Sequence, residues 1–230
     1  MNQCCRYSAN VGFCTRERKH LGACKYDPLE LEPGITVLIA AHPARLRNGM
    51  LTNALASVAA QTKQPEAIVV VNDCDRQGAG ATRRTLLSFV KTQWIAWIDS
   101  DDEWLPEHLE KLYAVAVETE SVYVFSYFHG ADPFTNGGKD PNGHLGRPFN
   151  VCDPHHTTMA ILERTDIALE AGFDDSQPGP FSNEDWGHIS RFCKIACERD
   201  LKVTHLPERT WIWRQQGQNT SGQPNQGDAR

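Results

Sequence analysis

Short apolar runs alternate with helical patterns from residue 34 onward, and this alternation constrains the fold more than any other feature of the sequence. The runs are rich in β-branched residues and lie at 35–41, 67–71, 94–98 and 122–125. Between them, Leu and Val recur at helical spacing, as at 51–58 and 86–90. The β-α-β-α-β-α-β order predicts an α/β fold with a mostly parallel central sheet flanked by helices. Such sheets bind ligands beyond the carboxyl ends of their strands.

A long segment interrupts this pattern in the second half of the chain. Residues 129–154 are rich in Gly, Pro, Asn and Asp, and their length is typical of a lid or a substrate-binding loop. Regular structure is expected to resume with a strand at 159–162 and a helix at 165–171. A helix over 186–199 and a strand at 202–206 follow.

The pattern divides the chain into three parts. A Cys-rich segment covers 1–33, one α/β domain covers 34–222, and a flexible tail is expected at 223–230. The 23 Lys and Arg residues and 29 Asp and Glu residues give a net charge of −6, which argues against broad charge-driven binding to nucleic acid. Apolar runs stay shorter than the ~18–20 residues that cross a bilayer, and the first residues lack a secretory signal pattern. We therefore expect a soluble, cytoplasmic protein.

Cysteines occur in two settings. The first 24 residues hold a cluster consisting of Cys4, Cys5, Cys14 and Cys24. In a reducing compartment such a cluster favours a structural zinc site, because thiolates are preferred zinc ligands. The cluster lacks the common two-residue gap, so disulfides and unpaired thiols stay open as alternatives. Cys193 and Cys197 are four residues apart in a predicted helix and are expected to be buried, apolar cysteines.

Polar residues follow two of the predicted strands. Asn72 and Asp73 end one strand, and the carboxylates Asp99, Asp101 and Asp102 end another. Carboxylates that crowd together repel one another unless a cation binds, and hard divalent ions such as Mg²⁺ and Mn²⁺ prefer oxygen ligands. The sequence therefore predicts a divalent-ion and ligand site at this edge of the sheet.

Two further segments are candidates for chemistry. The small residues at 78–81 open a helix, where backbone N–H groups can approach an anion and Arg83 or Arg84 can pair with a phosphate. A plain turn with solvated arginines is the simpler interpretation of that segment. Glu184 and Asp185 open another predicted helix. Acids in a first helical turn are favoured by the helix dipole, and the alternative is that one of them is a general base.

These segments together resemble the family-2 glycosyltransferases with the GT-A fold. The matching stretches, in chain order, are 35–43, 69–73, 78–84, 97–102, 183–186 and 210–214. They extend over nearly all of residues 34–222 and leave out the Cys-rich start and the tail. Asn72 stands where the family often has an aspartate, and Gln215 and Gln216 stand where many members have a histidine.

The resemblance implies a GT-A domain with a Rossmann-like nucleotide-binding half. It implies an inverting, metal-dependent transfer of a sugar from a nucleotide-diphosphate donor to an acceptor hydroxyl. Asp185 would be the catalytic base beside Glu184, and Mn²⁺ or Mg²⁺ would be held by Asp99, Asp101 and Asp102. The residues expected to bind the donor nucleotide are Ala41, Pro43, Asn72, Asp73, Arg83, Asp99, Ser100 and Arg214.

The acceptor is the least constrained part of this interpretation. His155, His156 and Trp186 lie in the half of the chain where acceptor contacts are expected, and the acceptor class stays open between a protein, a glycan and a modified nucleic acid. Two other functions stay open as alternatives. One is a nucleotidyltransferase or another nucleotide-sugar enzyme on a similar sheet, and the other is a non-catalytic, zinc-dependent binding module.

Overall fold

A computed structural model of the chain describes residues 7–8, 12–13, 30–42, 49–75, 77–130, 146–154, 160–173 and 184–214. Near the N-terminus, β1 (Tyr7–Ser8) and β2 (Gly12–Phe13) form a short antiparallel pair. Cys4, Cys5, Cys14 and Cys24 lie outside the described residues, so the zinc site stays a prediction.

The first half of the domain is the predicted α/β alternation. Its elements are β3 (Glu32–Ala41), α1 (Met50–Ala59), β4 (Ala67–Asn72), α2 (Ala79–Leu87) and β5 (Thr92–Trp97). β4 and β5 lie on either side of β3 and both run parallel to it. The carboxyl ends of the three strands therefore meet at one edge of the sheet, as the sequence pattern predicts.

The second half adds strands of mixed direction. Its elements are β6 (Glu103–Trp104), α3 (His108–Thr119), β7 (Ser121–Gly130), β8 (Ile161–Arg164), α4 (Thr165–Ala171), α5 (Glu184–Glu198) and β9 (Lys202–Trp213). The seven strands lie in the order β4-β3-β5-β8-β7-β9-β6. β8 is antiparallel to both neighbours, β7 and β9 are parallel, and β6 is antiparallel to β9. The α/β fold class is confirmed, and the parallel arrangement is continuous only through the first three strands.

The core follows from the apolar runs. Val37, Leu38, Ile39 and Ile95 are completely buried, as strands with helices on both faces require. β9 extends to Trp213, well beyond the predicted 202–206, because it pairs along most of β7 and then with β6. Within the described ranges, the helices are all too short or too polar to span a membrane.

A disulfide corrects one expectation from the sequence. Cys152 and Cys197 are bonded, with their Cα atoms 5.2 Å apart, so the prediction that Cys197 is a buried apolar thiol is wrong. Cys193 is buried and unbonded, as predicted. Burial raises the pKa of its thiol to about 12, and the negative charge of Glu163 acts in the same direction. Because the thiol stays protonated, Cys193 cannot readily attack the neighbouring disulfide.

The disulfide should contribute strongly to stability. It joins residues separated by 45 positions, and closing a loop of that length in the unfolded chain corresponds to about 4 kcal/mol. Cys152→Ser should lower the free energy of unfolding by roughly 2–4 kcal/mol in urea titrations. Cys74→Ser is the matched control, because Cys74 is exposed and unbonded and its loss should change little. Equal stability of the oxidised wild type and Cys152→Ser would contradict a stabilising role.

His108 should make the fold sensitive to acid. It is completely buried, and its Nδ1 shares a hydrogen bond of 2.6 Å with the Thr210 hydroxyl. Burial lowers the pKa of His108 to about 3, although the hydrogen bond with Thr210 acts in the opposite direction. Between about pH 6.5 and that value, the unfolded chain binds a proton that the folded chain does not.

Folding stability should therefore fall by about 1.4 kcal/mol per pH unit through this window. In urea titrations at pH 6.5 and pH 5, wild type should lose about 2 kcal/mol more than His108→Asn, which removes the titrating ring. Parallel losses in the two proteins would show that His108 titrates normally in the folded state.

Candidate active site

The ends of β3, β4 and β5 form the floor of the site. Asp73 N donates a hydrogen bond to Ala41 O at 2.9 Å, and Ile98 N donates to Leu38 O at 3.3 Å. These bonds continue the parallel pairing to the last residues of each strand. The structure therefore places Ala41, Asn72 and Asp99 along one edge of the sheet, where their sequence positions predict them.

Arg83 joins this edge to the first turn of α5. Its Nη2 donates to Asp99 Oδ1 at 2.8 Å, and its Nη1 donates to Glu184 Oε1 at 2.7 Å. Only 7% of the Arg83 side chain is exposed, compared with 11% for Glu184 and 45% for Asp99. One buried guanidinium thus brings together two acidic segments that lie 85 positions apart, counted as 184 − 99.

Neighbouring carboxylates stabilise the positive charge of Arg83. Burial acts to lower the pKa of Arg83, but the negative charges of Asp99, Glu184 and Asp185 outweigh burial, so the pKa is raised above its ordinary value. Arg83 therefore stays cationic throughout the accessible pH range. Because the charge of Asp185 acts on the pKa of Arg83, this carboxylate belongs to the same charge cluster as Asp99.

The position of Arg83 excludes one of the two interpretations that the sequence left open. From the sequence, Arg83 was assigned to the donor nucleotide, with a solvated arginine as the simpler interpretation. The solvated interpretation is wrong, because both ends of the guanidinium are bonded to carboxylates inside the protein. The pairing with Glu184 could not be read from local sequence, since it joins α2 to α5 across the fold.

Glu184 and Asp185 occupy the first helical turn, as predicted. The Asp185 Oδ1 atom accepts a hydrogen bond from Trp186 N at 2.7 Å, so its carboxylate is held at the helix N-terminus. Negative charge is favoured at that end of a helix by the exposed N–H groups and the dipole. Asp185 is therefore a carboxylate in a fixed position, close to the permanently charged Arg83.

The turn after β5 is anchored to the end of β9. Asp102 is buried, and its Oδ1 accepts a hydrogen bond from Arg214 N at 3.0 Å. The Arg214 side chain bonds to Glu103 Oε1 through Nε at 3.0 Å and Nη2 at 2.9 Å. The Arg214 guanidinium forms an ion pair with Glu103, and the contact with the donor nucleotide expected of Arg214 stays a prediction. No local pattern indicates this pair, because Glu103 and Arg214 are separated by 111 positions.

The turn after β5 carries the three carboxylates that the sequence predicts as ligands of a divalent ion. Across the described part of the chain, no set of three or more His, Cys, Asp or Glu side chains is arranged to hold a metal ion. Asp99, Asp101 and Asp102 therefore do not form a metal cage by themselves. Mg²⁺ is commonly held by one or two carboxylates together with substrate phosphates, and the hard oxygens of this turn suit that mode.

The start of α2 is already bonded to an internal anion. Asp73 accepts hydrogen bonds from Gln77 N at 2.7 Å and from Gly78 N at 2.8 Å. Gly78 has φ +96°, which glycine adopts at little cost. The backbone N–H groups predicted to approach a ligand phosphate are therefore partly used by Asp73.

Asn72 carries an acceptor without an internal partner. Its Nδ2 donates to Cys74 Sγ at 3.1 Å, whereas its buried Oδ1 has no hydrogen-bond partner among the residues that the structure describes. Buried polar atoms are nearly always hydrogen-bonded, so this oxygen is an acceptor that is still open to a donor group.

The other predicted site residues divide by location. Ser100 is buried within the turn after β5, and Trp186 is half-buried against the core. Pro43, His155 and His156 lie outside the described residues, as do Gln215 and Gln216. The structure thus groups Asn72, Asp73, Arg83, the turn 99–102 and the Glu184–Asp185 pair, and it leaves the acceptor side undefined.

Residues 74–159 match the sequence profile of Glycosyl transferase family 2. The resemblance to the family-2 glycosyltransferases is confirmed. The matched stretch begins at the end of β4 and includes Arg83 and the whole turn 99–102. Among curated proteins, none matches the chain.

Solved structures with a similar fold include three of S. aureus TarS. TarS 1-349 in complex with UDP-GlcNAc aligns with a TM-score of 0.65 and 16% identity, over 83% of this chain and 61% of that one. The complex of TarS 1-349 with UDP gives 0.62 and 17%, over 78% and 60%. A longer TarS chain gives 0.61 and 14%, over 77% and 36%. This chain therefore spans about three fifths of TarS 1-349 or less, and the likeness shows a GT-A type of fold.

Removal of the Arg83 charge should destabilise the domain. Arg83→Met would leave Glu184 buried without its cation, and breaking a buried ion pair costs about 3–5 kcal/mol. We expect the free energy of unfolding in urea to fall by about 3 kcal/mol. Arg199→Met is the matched control, since the Arg199 ion pair with Glu170 is largely exposed and should contribute less than about 1 kcal/mol. Similar losses in both variants would contradict a special role for Arg83.

Proposed function

We propose that this chain is a glycosyltransferase domain that moves a sugar from a nucleoside-diphosphate donor to an acceptor hydroxyl group. The observation that carries the proposal is the Arg83 bridge between Asp99 and Glu184, beside Asp185. This bridge supports the assignment of a base to the first turn of α5, close to the strand ends where α/β sheets bind nucleotides. The match to the family profile over 74–159 supports the same reaction class.

The proposed donor is a uridine diphosphate sugar. The unpartnered Oδ1 of Asn72 is an acceptor that suits the ring N–H group of uracil, and Asn72 stands at the end of β4. UDP and UDP-GlcNAc are the ligands in the TarS complexes of similar fold. An amide oxygen is also a hydrogen-bond acceptor, although weaker than a carboxylate, so the departure from the family aspartate is compatible with this contact.

The proposed cofactor is Mn²⁺ or Mg²⁺. Asp101 and Asp102, aided by Asp99, would hold the ion together with the donor diphosphate. When bound, the ion supplies positive charge to the leaving diphosphate oxygens. The chain's own contribution is to keep Asp102 fixed through Arg214 N and to keep Asp99 oriented through Arg83.

The proposed mechanism is a single displacement with inversion at the anomeric carbon. The acceptor oxygen forms its bond to that carbon as the bond to the diphosphate breaks, and the diphosphate leaves with the electron pair. Asp185 takes the hydroxyl proton. Glu184, bonded to Arg83, holds the first turn of α5 in place, and Asp185 lies close to the same buried cation.

Three residues in the second half of the chain are proposed for the acceptor side. Trp186 follows directly after the proposed base, and His155 and His156 precede β8; we assign these three residues to the acceptor.

The proposed compartment differs from the predicted cytoplasmic location. The Cys152–Cys197 disulfide favours an oxidising compartment, because such bonds rarely persist in the cytosol.

Substitution of the base tests the proposal. With UDP-GlcNAc and Mn²⁺, Asp185→Asn should lower the rate of UDP release by about 10²–10⁴-fold, because positioned base catalysis is lost. Binding of UDP should survive, and UDP should raise the melting temperature of the variant as it does that of wild type. Glu198→Gln is the control, since Glu198 is a carboxylate in the last turn of the same helix.

Three outcomes would count against the proposal. Full activity in Asp185→Asn would remove Asp185 from the role of base. Absence of any melting shift with UDP in wild type would remove the nucleotide site. A rate loss in Glu198→Gln equal to that in Asp185→Asn would show that the loss is not specific to the first turn.

A further inference from the structure

A buried polar cluster lies beneath the proposed site. Glu163 on β8 and His188 on α5 both have no exposed surface. His188 Nε2 lies 3.0 Å from Glu163 Oε2 and 3.2 Å from Oε1. Trp97 Nε1 donates to Glu163 Oε1 at 2.6 Å. The Glu163 carboxylate is therefore hydrogen-bonded both to Trp97 on β5 and to His188 on α5.

The hydrogen-bond partners define the protons in this cluster. His188 Nδ1 lies 2.8 Å from the carbonyl oxygen of Gly172, which can only accept, so Nδ1 carries a proton. The Nε2 contact needs one further proton, shared between the ring and the carboxylate. Every polar atom of Glu163 and His188 is therefore bonded, and each residue has a fixed orientation.

The cluster connects the two sides of the proposed site. Trp97 is the last residue of β5 and stands two positions before Asp99, whereas His188 stands one helical turn after Glu184. Glu163 therefore links the strand that leads to Asp99 with the helix that carries Asp185. Neither Glu163 nor His188 belongs to the segments that resemble the glycosyltransferase family.

Ring contacts through Phe173 reinforce this link. Phe173 stacks on His188, with ring centroids 4.2 Å apart, and the Arg83 guanidinium lies 6.0 Å from the Phe173 ring centroid. Trp97 meets the same Phe173 ring edge-on at 5.2 Å. A displacement of His188 would therefore reach Arg83 both through the helix and through this ring.

We propose that Glu163 and His188 are a positioning pair that holds Asp185 in register with Asp99 and Arg83. This inference rests on the proposed function, because the register matters only if the two acidic segments act on one substrate. Neither residue contacts substrate. Their effect is on the rate of the chemical step, since a misplacement of about 1 Å far from the reacting atoms can cost about 10²-fold.

The first test compares two substitutions at Glu163. Glu163→Leu removes the acceptor for both Trp97 and His188, and kcat for UDP release from UDP-GlcNAc should fall by about 10²-fold. The KM for the donor should stay within about twofold, because the nucleotide site at the ends of β3 and β4 is untouched. Glu163→Gln should restore most of kcat, since its amide accepts from Trp97 and donates to neutral His188.

A matched control separates positioning from stability. His108→Gln alters another completely buried histidine with a side-chain hydrogen bond, but on α3. It should lower the melting temperature and leave kcat unchanged, with all rates measured below the onset of unfolding. If Glu163→Leu does not fold, His188→Asn serves instead, since it keeps the bond to Gly172 and loses the one to Glu163.

Hydrogen exchange tests the pair without relying on activity. Glu163→Leu or His188→Asn should speed amide exchange in the first turns of α5, residues 184–190, and leave β4 unchanged. Unchanged protection there, or wild-type kcat in the disrupted variants, would overturn the positioning role. A different result would overturn the proposed function and keep the structural link: the two variants exchange faster than wild type, but wild type itself transfers no sugar.

Discussion

The buried charge of Arg83 is the interaction on which the arrangement of the site depends. Asp99 and Glu184 arrive on different elements, and with Asp185 they would repel one another at the end of the sheet. A guanidinium with two separate donor ends bonds to one carboxylate on each side. Lysine, with a single nitrogen, could not reproduce this geometry. The site is thus held by one cation that stays charged at any accessible pH.

Around this cation, further contacts between distant segments tie the domain together. Glu163 bonds to Trp97 and His188, and Arg214 ties the end of β9 to the turn after β5. The Cys152–Cys197 bond fastens the segment 146–154 to the last turn of α5. Helix α5 is consequently held at its first turn, its second turn and its end, which suits an element that carries the proposed base.

Parts of this arrangement were readable from local sequence. The alternation of apolar runs predicted β3, β4, β5 and their helices, because a strand covered on both faces must be apolar throughout. The acidic residues after β5 and in the first turn of α5 were identified for another reason. Polar groups at the carboxyl ends of parallel strands and at helix N-termini are candidates for binding and catalysis. The direction of β8 and the full length of β9 were not predicted, because pairing partners far along the chain decide them.

The sequence by itself determined the α/β class, the strand ends that carry polar groups, and the acidic segments that resemble a glycosyltransferase. Each of these depends on residues close together in the chain, where periodicity and spacing are sufficient. Only the tertiary structure decided that Arg83 is buried between Asp99 and Glu184, that Arg214 pairs with Glu103, and that Cys197 is bonded to Cys152. Those contacts join residues brought together by packing, and no local pattern encodes which distant charge or thiol a side chain will meet.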